Sequence, residues 1–143
     1  MDSISTLAPV FEEMLQSGKA ITFIPDGYSM RPMLQPRQSK VVIIKPDRPV
    51  RKHDIALFRR SDGQLVLHRV VRRRGEWLTM CGDGQIEMEK GIHASQVLGV
   101  LKGYSRGGQY VEPSGIKYAL YCRTLWLRRL KRRLLALKKQ KKA

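Results

Sequence analysis

The sequence predicts a mainly antiparallel β domain with a short N-terminal helix and a basic amphipathic C-terminal helix. Three observations predict it. Strand-length apolar runs alternate with turn signals from Ala20 to Tyr104. No long helical segment separates those runs, so parallel crossovers have nothing to be built from. Charge is also partitioned: all 12 acids precede Ser114, whereas 11 of the 28 lysines and arginines follow Pro113.

The elements follow in order. Leu7, Val10, Phe11, Met14 and Leu15 share a face at helical spacing, so Ser5 to Ser17 is expected to be a helix, stopped by Gly18. Ala20 to Ile24 is a strand, closed by the turn-forming Pro25, Asp26 and Gly27. Lys40 to Lys45 is a second strand, bounded by Pro46 and Pro49. Ile55 to Phe58 and Leu65 to Val71 form a hairpin through Ser61, Asp62 and Gly63. Gly75 reverses the chain into Trp77 to Cys81, and Gln96 to Tyr104 adds a last strand. In the tail, Ile116, Leu120, Leu127, Leu130, Leu134 and Leu137 recur at helical steps, with Trp126 near the middle and Ser114 as N-cap. Residues 1–113 are therefore read as the body and 114–143 as a cationic helix.

Composition narrows the function classes. The formal charge of +16 invites a nucleic-acid reading, but the tail carries no recognisable reading motif. Cys81 and Cys122 form no disulfide framework, and with His53, His68 and His93 they reach no metal-ligand spacing. Met1 to Gly18 has no basic lead and no continuous apolar stretch. No window holds the roughly 18 apolar residues of a membrane span. The expectation is a protein of the cytoplasmic side that needs no metal or cofactor.

Three short segments carry chemistry. A serine hydroxyl is a poor nucleophile at neutral pH, so it needs a base within reach and donors for the oxyanion. In the turn Gly27-Tyr28-Ser29-Met30-Arg31-Pro32, Ser29 is the candidate nucleophile, and Gly27, Ser29 and Met30 shape the main chain that faces the reacting carbonyl. On the strand Val66 to Val71, His68 shares its side with Val66 and Val70, while Arg69 points the other way. A neutral imidazole, with an ordinary pKa near 6.5, is a suitable base. After Met80 and Cys81, Gly82-Asp83-Gly84 leads to Glu87 and Glu89, acids able to fix a histidine tautomer.

The order Gly-x-Ser-Met-x-Pro, His-Asp-Ile-Ala-Leu-Phe, His-Arg-Val and Gly-Asp resembles the type I signal peptidases, within the superfamily that includes the LexA-like self-cleaving repressors. The likeness runs from about Ala20 to Val100, and Ser-Met-x-Pro is its most specific part. It implies a coiled antiparallel β scaffold, with Ser29 as nucleophile and His68 at the base position, as in the subgroup that uses histidine where most bacterial members use lysine. That subgroup places an acid about six residues after its Gly-Asp, where this protein has Glu89; Asp83 matches the Gly-Asp and is assigned a supporting role. Two positions depart from the pattern: His53-Asp54 stands where relatives have Gly-Asp, and Gly27 where some carry a hydroxyl. His53 is expected to be exposed and Asp54 to be a turn residue.

The implied activity is a serine endopeptidase acting through an acyl-enzyme on leader or signal-like peptides with small residues near the cut, a peptide-maturation protease. The basic helix adds an anionic membrane surface as a partner, through peripheral association. The competing reading is a non-catalytic relative that binds anionic membrane or nucleic acid through that helix. If the leucines instead covered the sheet, the helix would belong to the core.

Overall fold

The computed structural model describes residues 4–142; the first three and the last residue of the expected two-part division lie outside them. After a short 3-10 turn come α1 (Ala8–Gln16), β1 (Ile21–Phe23), β2 (Val41–Ile44), β3 (Ile55–Arg59), β4 (Leu65–Arg74), β5 (Trp77–Cys81), β6 (Glu89–His93), β7 (Val97–Arg106), β8 (Gln109–Val111) and α2 (Gly115–Lys141). The strands form one open sheet in the order β1-β2-β7-β3-β4-β5-β6, with β8 paired to β7. Every pairing is antiparallel. The expected mainly antiparallel architecture with its two flanking helices is therefore present.

Strand periodicity divides the apolar side chains between two cores. On β3, Ile55 and Leu57 pack with α1, β1 and β2, whereas Ala56 and Phe58 pack with β4, β5 and β6. Both faces of β3 are covered, and this explains why it reads as a continuous apolar run. α1 uses only part of its expected face. Ala8, Phe11 and Leu15 are buried, but Leu7, which falls in the preceding 3-10 turn, and Val10 lie open to solvent. Two further strands, β6 and β8, lie outside the expected set, because Glu89–His93 and Gln109–Val111 are short and carry no apolar run.

The C-terminal helix turns its leucines outward, Leu125 excepted. Ile116, Leu120, Trp126, Leu127, Leu130, Leu134 and Leu137 are all exposed. The buried or half-buried side is Tyr118, Tyr121, Cys122, Leu125, Arg129 and Arg132, again at three- and four-residue steps. The alternative in which the leucine stripe covers the sheet is overturned. Ser114 stands at the N-cap with extended backbone, but its side chain makes no capping hydrogen bond.

This orientation has a direct test in chemical denaturation. Leu125→Ala is expected to cost ~2–4 kcal/mol, as a buried leucine does. Leu134→Ala, on the exposed side, is expected to stay within ~0.5 kcal/mol. Equal losses would mean that the helix packs by its leucine face.

Candidate active site

Ser29 lies in the connection between β1 and β2. Met30, Met33 and Leu34 of the same segment are buried in the first core and anchor it. The N–H groups of Arg31 and Leu34 donate back to the carbonyls of Tyr28 and Met30, at 3.2 and 3.0 Å. The turn presents Ser29 half-buried at the surface. Among the described residues, neither the Ser29 nor the Met30 main-chain N–H donates to an acceptor.

A second loop, Gly82 to Gly84, braces this turn from below. Gly84 N–H donates to the Ser29 carbonyl at 2.8 Å. Gly82 is required for the close approach, since a Cβ there would collide with the same carbonyl oxygen. Asp83 between them is fully buried, gripped by the Arg69 guanidinium: Nε to Oδ1 is 2.7 Å and Nη2 to Oδ2 2.8 Å. The Tyr121 hydroxyl donates to Oδ2 at 2.8 Å, and Arg132 Nη1 donates to the Asp83 carbonyl at 2.6 Å. Burial opposes the Arg69 charge, but hydrogen bonding and attraction from Asp83 outweigh it and raise the arginine's pKa. Burial likewise pushes the Tyr118 and Tyr121 phenols up, which keeps both as O–H donors.

Arg69 also reaches away from the pair. Its Nη1 donates to the His53 carbonyl at 2.8 Å and to the Tyr118 hydroxyl at 2.6 Å. His53 is half-buried with a positive φ of 79°, which corrects its expected exposure: its carbonyl is turned inward to receive these donors. Asp54 takes a turn position and a bidentate bond from Arg48, at 2.8 and 2.9 Å.

His68 is buried on β4, its ring tilted against Phe58 at 6.2 Å between centroids. Its Nδ1 is sealed from solvent and has no hydrogen-bond partner among the described residues. Burial first, and the Arg60 charge second, push its pKa down to about 4, against the attraction of Glu89 and Asp83. The imidazole is therefore neutral, and able to accept a proton, well below the ordinary histidine range.

Glu89 sits close enough to influence His68 but is held by another group. Arg60 Nε and Nη2 donate to its carboxylate at 3.0 and 2.8 Å. No hydrogen bond joins Glu89 to His68 in this structure.

Ser29 and His68 line one cavity of about 330 Å³, together with Gly27 and Met30. A second cavity of about 700 Å³ adjoins it and carries Glu89. His68, Arg60 and Gln85 line both, so the two cavities meet at these side chains. Asp83 lines neither cavity. Sequence reasoning missed Arg60, Arg69, Tyr121 and Arg132. Arg69 alone carried a signal, an arginine next to a strand histidine, and its buried partner is 14 residues away.

Two substitutions separate support from chemistry. Asp83→Asn leaves Arg69 buried without its counter-charge and is expected to cost ~3–5 kcal/mol of stability, read by denaturation. Gly82→Ala displaces the Ser29 main chain and is expected to cut reactivity toward a serine-directed fluorophosphonate probe with a smaller loss of stability. Undiminished labelling in Gly82→Ala would show that this loop does not position Ser29. No protein-family model matches the sequence, and no curated protein sequence matches it.

Proposed function

We propose that this protein is a serine endopeptidase of the signal-peptidase and LexA-like superfamily, His-type, and that its sheet is the coiled β scaffold of that family. One observation carries the reading. A serine and a neutral histidine, 39 residues apart in sequence, line the same small cavity with two free main-chain donors beside the serine. The ordered likeness of the motifs adds to it.

In the proposed mechanism, Ser29 Oγ attacks the peptide carbonyl carbon as His68 takes the hydroxyl proton. The carbonyl π electrons move to oxygen, which the N–H groups of Ser29 and Met30 stabilise. The oxyanion collapses, the C–N bond breaks, and the imidazolium delivers its proton to the leaving amine. Water then attacks the ester, giving its proton to His68 and leaving the acid; His68 returns the proton to Ser29 Oγ. Glu89 and Asp83 stabilise the imidazolium through their charge, Glu89 from the triad position and Asp83 from the supporting loop. The substrate is an extended leader-type peptide with small side chains at the cut, and no metal or cofactor takes part.

Ser29→Ala is expected to abolish both probe labelling and peptide cleavage while leaving thermal unfolding unchanged. In the wild type, kcat/KM should rise with pH through a midpoint near 4, as His68 loses its proton, and stay flat from pH 6 to 8. Arg60→Gln removes the nearby cation that disfavours the imidazolium, so the midpoint should move up toward the ordinary histidine value. A midpoint that stays put, or moves down, would remove His68 from the mechanism.

The exposed leucine face of α2 favours a second role for the same protein, docking on an anionic membrane surface. No helix among the described residues is long and apolar enough to cross a membrane. Leucines and Trp126 on the outer side, flanked by cations without an anion, instead suit an interfacial helix. Each cation near such a surface contributes ~1 kcal/mol. Leu130→Gln with Leu134→Gln should release the protein from phosphatidylserine vesicles in co-sedimentation at low salt. Wild-type protein that stays in the supernatant under those conditions would end this second role.

A further inference from the structure

Taken as one groove, the two adjoining cavities extend past His68 into a half that does not contain Ser29. One wall of that half is the 84–89 loop; the other is the last third of α2, through Arg132, Arg133 and Leu137. If the serine-peptidase reading holds, on which this inference rests, chemistry sets the direction of the substrate. The acyl part stays bonded to Ser29, while the leaving amine must reach His68 for its proton. The peptide segment beyond the cut, on its C-terminal side, therefore runs past His68 into the second half.

Charge in that half is unbalanced. Arg60 and Glu89 neutralise one another. Arg132 spends one nitrogen on the Asp83 carbonyl and has no ion pair among the described residues. Arg133 is exposed and has no hydrogen bond or ion pair among the described residues. Against these two cations stands one unpaired acid, the exposed Glu87 on the opposite wall. Leu137 supplies apolar surface beside them.

We propose that this half-groove is the subsite for the leaving segment of the substrate and that it selects peptides with a carboxylate shortly after the scissile bond, through Arg133 and Arg132. The helix that carries the leucine face outward thus also forms a wall of the binding site.

The test uses the full-length protein and leader-type peptides with alanines around the cut, differing only in Glu, Gln or Lys at each of the first three positions beyond it. Cleavage is followed by mass spectrometry. Glu is expected to raise kcat/KM over Gln by about fivefold at one or more of these positions, the scale of a partly exposed ion pair, and Lys to lower it. Arg133→Glu should abolish or reverse the preference. Lys131→Glu makes the same change of net charge outside the groove and should leave it intact. Equal cleavage of the Glu and Lys peptides, or equal effects of the two variants, overturns the subsite. If wild-type protein cleaves none of the peptides, or Ser29→Ala cleaves them as fast, the peptidase reading fails instead. Fluorescence anisotropy of the same peptides on Ser29→Ala then decides the groove: a Glu preference lost in Arg133→Glu supports it as an anionic-peptide site, and equal binding overturns it.

Discussion

The buried pair of Arg69 and Asp83 is the constraint on which the rest of this structure depends. Two charges removed from water are costly, and they persist only where every remaining donor and acceptor is also satisfied. Here the satisfying groups come from two separate stretches of sequence: the His53 carbonyl ahead of β3, and on α2 the Tyr118 and Tyr121 hydroxyls, with Arg132 on the adjoining main chain. Placing the pair therefore fixes the β2–β3 connection, the β4 strand, the loop after β5 and the helix α2 against one another.

The site inherits its geometry from that arrangement. Asp83 holds the Gly82–Gly84 loop, the loop holds the Ser29 carbonyl, and Arg69 occupies the residue next to His68 on the same strand. Ser29 and His68 are thus tied to one buried pair through short paths, although neither touches it. Rigid support of this kind is what a site needs when catalysis depends on placing donors before the charge develops.

Much of this fold was legible in the sequence because its signals are local. Val41 to Ile44, Ile55 to Arg59 and Trp77 to Cys81 are apolar runs closed by glycine, proline or aspartate turns. The polar strand Glu89–His93 escaped notice because its pattern comes from pairing with Trp77 to Met80, not from its own residues. At the candidate site, motif order alone pointed to Ser29, His68 and Glu89; the first two line one cavity, and Glu89 stands in the adjoining one. Arg60 was not, since an arginine after a strand looks like any solvated charge until Glu89 is brought to it from 29 residues away. The ordinary histidine pKa expected for His68 also gave way, because burial is a property of the assembled cavity. The direction of α2 was hidden for a related reason. Leucines form the obvious stripe, yet the polar ends of Tyr118, Tyr121 and Arg132 had partners waiting in the body.

That two-sided helix makes α2 sensitive to phase. One residue inserted between Tyr121 and Arg132 would rotate everything beyond it by about 100° relative to the tyrosines, carrying Arg132 off the Asp83 loop and the leucines out of line at the same moment. An insertion of seven residues, close to two full turns, would nearly restore both sides but lift the helix by about 10 Å, so Arg132 would lose its carbonyl. Length and rotation are locked together here, and among relatives of this protein the spacing from Tyr118 to Arg132 should vary less than the residues between them.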